Sequence, residues 1–325
     1  MSTAPVFSID PRAFWHDPYP TLKAMREQAP IAYVPELDAT LMVKRDDIAL
    51  NEKLIDVFSS VQPGGLMTQL MGQNMMRKDG RDHRAERKAI FPAISPKTVK
   101  AVWRAAFEDM TDRVLDDLAP RKGADMTSDI ARRLAGEALC LVTGLTNMDW
   151  QTMDRVSQAM VDGCANYAGD PAIEAHCLTC VETIDQHVAE RLDAVRHSPD
   201  FSLLSVQQQS GMDDAQNCIN IRLAISGGQN ETRDAIAGTI WALLIHPEQR
   251  AKIEQREATW LDAFEEYARW MSPIGMSPRR VAQPYDFNGV AFAPEDRVFL
   301  MFSSGNRDEA VFANPDQFDV SQDCT

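Results

Sequence analysis

The run from Arg222 to Ile245, RLAISGGQNETRDAIAGTIWALLI, constrains this chain more than any other stretch. Its spacing predicts one long helix. Leu223, Ile225, Ile236, Ile240, Leu243 and Leu244 supply apolar positions on either side of a polar centre. Pro247 biases His246 away from helical geometry and ends the helix there. The centre is unusual: Gly227 and Gly228 stand together mid-helix, where each costs about 1 kcal/mol against alanine. Asn230, Glu231 and Thr232 follow directly. Two glycines admit something close to the backbone, and the polar cluster beside them suits a plain core poorly. The combination predicts a helix crossing the middle of the protein with a ligand at its waist. The plainer alternative is an Asn-Glu-Thr cluster that faces water. GGQNET is not a phosphate cradle, because it lacks the lysine of a P-loop and the three-glycine spacing of a dinucleotide fingerprint.

Composition narrows the partners. The 33 basic and 48 acidic residues leave a net charge of −15 and a pI near 4.8. That balance argues against nucleic acid or an anionic membrane as a partner. The opening, MSTAPVFSIDP, has neither the basic start nor the apolar core of a signal peptide, and no apolar run is long enough to span a bilayer. Cys140, Cys164, Cys177, Cys180, Cys218 and Cys324 are scattered without a secretory signal, so reduced thiols in a cytoplasm are expected.

Along the chain, proline-rich turns lead into a short helix over Thr21–Gln28. Two strands, 31–34 and 40–43, flank a Pro-Glu-Leu-Asp turn, and a helix starts near Asp46. Residues 58–76 are rich in glycine and methionine and read as irregular. Methionine fills adaptable apolar surface, so this segment is either a pocket lining or an ordinary loop. Amphipathic helices are expected over 97–120, 127–144, 148–168 and 172–196, and a polar loop over 198–220. His176, Cys177 and Cys180, with His187 beyond, fit no standard zinc spacing and read as structural residues of a helix. After Pro273 the chain turns strand-like around 280–282, 285–290 and 297–302, with Asn288-Gly289 as a hairpin signal. The expected class is mainly α with a small β component, in a single domain over 1–325.

Two further patterns carry chemistry. The segment from Arg77 to Lys88 is strongly basic within an acidic chain, with Arg77, Lys78, Arg81, Arg84, Arg87 and Lys88. Such a run is usually a solvated face, yet it can also receive anionic groups. His83 and Arg87 are four apart and share a helix face, a plausible anion clamp. Glu266 and Arg269 are three apart on another helix; in isolation such a pair is a surface salt bridge.

In order and spacing these segments resemble the cytochrome P450 family, bacterial soluble class. The matching residues are Asp82-His83-x-x-x-Arg87 with Phe91, the Gly227-Gly228 helix followed by His246-Pro247-Glu248, Glu266-x-x-Arg269 and Arg280. Asn306-Arg307-Asp308 and Phe312-x-x-Pro315-x-x-Phe318-Asp319 complete them. The resemblance spans essentially the whole chain. It implies a P450 fold with haem b against the long helix, and places His83, Arg87 and Arg280 on the haem carboxylates with Gly227 and Gly228 at its face. It makes Glu266 and Arg269 a buried structural pair. It also sets residues 58–76 and 164–180 over the substrate and offers the basic run to an acidic ferredoxin or reductase.

The activity implied is a monooxygenase: O2 is activated, and a small apolar or aromatic substrate is hydroxylated or O-dealkylated. In the family the long helix carries an acid–alcohol pair that supplies protons for O–O cleavage, a step needing a relay in a dry site. Glu231-Thr232 fits that pair. Counting back from His246-Pro247 gives another register, with Asn230 at the acid position and Glu231 at the alcohol position, and this second register is preferred. It makes Glu231 the expected proton-handling residue.

One departure bears on all of this. The family's glycine-rich loop with its cysteine thiolate is expected after Phe318-Asp319, and the sequence reaches Thr325 without it. Cys324 lacks the surrounding loop and is not expected to ligate iron, and Gln322 stands where an arginine often occurs. The expectation is therefore a P450 sequence truncated before its metal ligand. The alternative function is a non-catalytic scaffold that binds haem weakly, an apolar ligand or a partner.

Overall fold

A computed structural model describes residues 2–324. The chain opens with α1 (Pro11–His16) and α2 (Tyr19–Gln28), then β1 (Ile31–Val34), β2 (Ala39–Met42), α3 (Arg45–Asn51) and β3 (Phe58–Ser59). Helices α4 (Leu66–Met71), α5 (Gly80–Ile94) and α6 (Pro96–Thr98) follow, the last running through a π turn into α7 (Arg104–Leu118). Then come α8 (Arg132–Thr143), α9 (Trp150–Cys164), α10 (Pro171–His197), α11 (Leu203–Gln209), α12 (Asp214–Ser226) and α13 (Asn230–Ile245). The rest holds α14 (Pro247–Glu254), α15 (Trp260–Met271), β4 (Ser277–Val281), β5 (Tyr285–Phe287), β6 (Val290–Phe292), β7 (Arg297–Leu300) and α16 (Phe302–Gly305). The mainly helical class with a minor sheet matches expectation.

The chain divides into two compact units, one of residues 1–62 with 238–325, the other of residues 63–237. The first holds a five-stranded sheet in the order β1-β2-β7-β4-β3. β2 and β7 run parallel, with Thr40 opposite Val298 and Met42 opposite Leu300; the other neighbours are antiparallel. Side chains alternate across the strands, so both faces are buried. Ile31, Met42, Phe58, Val281, Val298 and Leu300 pack on one face, and Ala32, Val34, Leu41 and Phe299 pack with Leu22 and Met25 on the other. β5 and β6 form a hairpin whose turn residues, Asn288 and Gly289, have φ of 49° and 79°. That is the conformation the Asn-Gly pair adopts at least cost.

The second unit is helical. Its core joins Leu139, Met153, Met160, Ile184, Val188, Leu204, Ile221 and Ile225. Cys177 and Cys180 lie in this core and are fully buried. Gly163 is what lets α10 come close, since a Cβ there would fall 2.6 Å from Cys177 Sγ.

Three expectations are corrected. Residues 222–245 are two helices, not one, with α12 ending at Ser226 and α13 starting at Asn230. Residues 198–220 are not a loop but hold α11 and the first half of α12. Their apolar pattern is masked because Gln207, Asn217 and Asn220 are themselves buried. Residues 58–76 include β3 and α4. The apolar run of α13 also buries less than its composition suggests: Thr239, Ala242 and Leu243 are buried, while Trp241, Leu244 and Ile245 are exposed.

Candidate active site

The polar centre of the 222–245 run sits where the helix breaks. A Cβ on Gly228 would lie 2.5 Å from the Ala224 carbonyl oxygen and 2.9 Å from Leu139 Cδ1. What closes on this glycine is thus its own preceding turn and α8. Gly227 has more room, with its nearest such atom at 3.6 Å. Beyond the break, Asn230 Oδ1 and Glu231 Oε2 are buried and make no hydrogen bond. Asn230 Nδ2 donates to Gln158 Oε1 at 3.3 Å. Thr232 is exposed.

The basic run divides in two. Arg77 is buried, and Lys78 is drawn into an ion pair with Glu86. Arg81, Arg84, Arg87 and Lys88 remain exposed on α5. The six-cation surface expected from sequence is therefore a four-cation surface. Glu86 was missed by sequence reasoning. It is buried, and its Oε2 accepts Asn220 Nδ2 at 2.8 Å and Gln216 Nε2 at 3.2 Å. A signal existed: Glu86, Ile90 and Ala93 form the buried stripe of α5, and a carboxylate within an apolar stripe needs partners. Asn220 Oδ1 also accepts the Met75 amide at 3.1 Å, and His83 Nδ1 lies 2.9 Å from the Met75 carbonyl oxygen. The segment before α5 is thus tied to both α5 and α12. Arg87 makes no hydrogen bond or ion pair with the described residues, so its guanidinium is free for an anion.

In the other unit, Arg280 on β4 donates from Nε to the Val61 carbonyl at 3.0 Å and pairs with Glu295. Glu266 and Arg269 are both buried on α15 and form a bidentate pair at 2.6 and 2.7 Å. The rest of the guanidinium donates to the carbonyls of Asn306, Pro315 and Gln317 at 2.8 to 2.9 Å. Glu266 Oε1 accepts the Asp319 amide at 2.7 Å. Every strong donor and acceptor of the pair is used, the condition under which a buried ion pair is tolerated. Its contacts hold the 306–319 segment against α15, a structural and not an acid–base role.

A haem of the kind the resemblance implies needs cations for its carboxylates and a thiolate for its iron. The free guanidinium of Arg87 suits the first need. The thiols do not suit the second. Burial pushes Cys140 up to about 12 and Cys164 and Cys177 up to about 11, and it raises Cys180 and Cys218. Cys324 Sγ lies 3.6 Å from Glu266 Oε2. Burial first, then the Glu266 charge, pushes this thiol up to about 11. Cys140, Cys164, Cys177, Cys180 and Cys218 lie within α8, α9, α10 and α12, not on a loop that would present a sulfur to iron.

No model of a known protein family matches the chain. Individual relatives do. Pulcherriminic acid synthase of Bacillus subtilis is 22% identical over 330 residues, covering 98% of this chain and 80% of the relative. A methyl-branched lipid omega-hydroxylase of Mycobacterium tuberculosis is 25% identical over 334 residues, covering 92% of this chain and 74% of the relative. The crystal structure of P450BioI in complex with an acyl carrier protein ligated by hexadec-9Z-enoic acid superposes with a TM-score of 0.85 at 20% identity. That match covers 96% of this chain and 84% of the other. No described helix is long and apolar enough to cross a membrane. The curated relatives and structural neighbours are bacterial soluble cytochrome P450s, whose reactions draw on haem, O2 and a redox partner. The chain has the fold of the bacterial soluble cytochrome P450s, and its hydroxylase relatives mark it as an enzyme of the monooxygenase type.

Proposed function

We propose that Glu231 is the proton-handling residue of this monooxygenase, with Asn230 orienting it, and that Thr232 is dispensable. One observation carries the reading: Glu231 Oε2 and Asn230 Oδ1 are buried without a partner at the first turn of α13. A buried oxygen left unpaired costs about 1–3 kcal/mol, a cost consistent with a site kept for proton transfer. A carboxyl can hold and release a proton at Oε2, whereas the Asn230 amide can only orient. The same proposal assigns His83, Arg87 and Arg280 to the haem carboxylates, with Gly227 and Gly228 at its face; Arg280 would exchange Glu295 for that role.

The proposed substrate is a small apolar or aromatic molecule, hydroxylated or O-dealkylated. Support comes from the methionine-rich 66–75 segment, whose Met67 and Met75 pack on the apolar core, and from the mycobacterial relative named for a lipid. The electron donor is an acidic ferredoxin or reductase that docks on Arg81, Arg84 and Lys88 in the cytoplasm. Residues 1–325 act as one functional domain.

The test is product formed per NAD(P)H consumed in the haem-loaded, donor-supplied protein. Glu231→Gln should lower it by about a hundredfold, and Thr232→Ala should leave it unchanged. The reverse pattern would restore the other register. A second reading, a scaffold that binds ligand without turnover, is favoured by the helical setting of five of the six cysteines. A thiolate-type Soret band in the reduced carbon-monoxide difference spectrum of the haem-reconstituted chain would overturn it.

A further inference from the structure

Three polar side chains of α9 bond to the break between α12 and α13. Asp154, Ser157 and Gln158 have the three- and four-residue spacings that put them on one helix face. Ser157 is buried, and its Oγ donates to the Ile225 carbonyl at 3.0 Å. In an unbroken helix that carbonyl would accept the amide of residue 229. Asp154 Oδ1 accepts Gln229 Nε2 at 3.1 Å, and Asp154 Oδ2 accepts Arg132 Nε at 2.7 Å. Gln229 Nε2 also reaches the Arg132 carbonyl at 3.2 Å. Gln158, as noted, takes the Asn230 side chain, and its own amide donates to Asp162 at 2.8 Å.

Gln229 is fully buried, and its backbone carbonyl accepts the Arg233 amide at 3.0 Å, the first hydrogen bond of α13. The two glycines permit a break, but glycine has no directional preference that says where the next helix begins. A buried side chain with fixed acceptors does. We infer that Asp154, acting through Gln229, is a positioning residue: it sets the point and the angle at which α13 starts, and so the presentation of Asn230 and Glu231. Its importance for turnover rests on the proton-handling reading above, but the positioning itself does not.

Amide hydrogen exchange on the purified chain tests this. Gln229→Leu removes both side-chain donors at nearly constant volume. It should speed exchange of the Arg233 amide and its neighbours in residues 230–234 by about tenfold, with α8 and α10 unchanged. Asp154→Asn keeps an acceptor for Gln229 and should hold exchange at 230–234 near the native rate, whereas Asp154→Leu should behave like Gln229→Leu. Gln229→Asn, milder because it keeps the amide and shortens its reach, should give the same local pattern to a smaller degree if the leucine variant fails to fold. Unchanged exchange at 230–234, or an equal rise across α8, α9 and α10, would overturn the inference, since a merely structural loss loosens the whole unit. A local rise combined with full turnover in Glu231→Gln would leave the positioning standing and remove the proton assignment.

Discussion

The phenol of Tyr267 lies across Gly238, so the place a Cβ at 238 would occupy is already filled by the tyrosine ring and hydroxyl. Gly238 belongs to α13 and the buried Tyr267 to α15. Glycine in a helix ordinarily gains about 1 kcal/mol when replaced by alanine. Here overpacking should win. Gly238→Ala should destabilise the protein by about 1–3 kcal/mol, read as a lower urea midpoint. A raised midpoint would show that Tyr267 swings aside without cost.

The Glu266–Arg269 pair should be among the least replaceable features of its unit. Arg269→Ala leaves a buried carboxylate and three carbonyls without their donor. The expected loss is about 3–5 kcal/mol, with proteolytic cleavage appearing between residues 306 and 319. Arg269→Lys should recover little, because an ammonium cannot reproduce the bidentate contact and still reach Asn306, Pro315 and Gln317. Wild-type-like unfolding of Arg269→Ala would show that the pair is incidental.

Acid should weaken the protein in part through Glu309. Arg26, itself buried, holds this carboxylate with two hydrogen bonds at 2.9 and 3.0 Å. The bond from Arg26 lowers it from 4.5 to about 2. A carboxyl whose folded value is depressed contributes stability above its unfolded value and loses it as pH falls through the folded one. The contribution is therefore complete above 4.5 and disappears toward 2. Glu309→Gln should be measurably weaker than wild type at about pH 5, and the gap should narrow at about pH 3. Glu309 is partly open to solvent, so the effect is modest. A gap that does not change with pH would separate the pair from the acid response.

Haem uptake gives a direct test of the proposed cations. In a Soret titration of the purified chain, Arg87→Ala and Arg280→Ala should each weaken binding by about tenfold, the loss of one charge-assisted hydrogen bond. Arg81→Ala, a neighbouring exposed cation, should not. Equal affinity for all three variants and wild type would mean that these arginines do not hold the carboxylates.

Much of this molecule is determined locally, and those parts are legible in the sequence. The short apolar runs over 31–34 and 297–300 specify strands buried on both faces, and Asn288-Gly289 specifies the hairpin, because each depends on backbone preferences a few residues wide. The spacing of Glu266 and Arg269 puts them on one helix face. It does not reveal that they are buried; that follows from carbonyls 37 to 48 residues away. The break at 227–229 was hidden for the same reason. Local propensity treats two glycines as a tolerable cost within a long helix. The deciding contacts come from Asp154, 75 residues earlier, and from the Arg132 carbonyl, 97 residues earlier. Likewise Lys78 reads as one more surface cation until Glu86, itself held by Asn220 from α12, is brought to it. The sequence by itself determined most of the elements and the family they resemble, but not where the helices over 198–245 begin and end. Only the tertiary structure decided which polar residues are buried and what satisfies them, because a hydrogen bond between distant residues leaves no periodic trace in the chain.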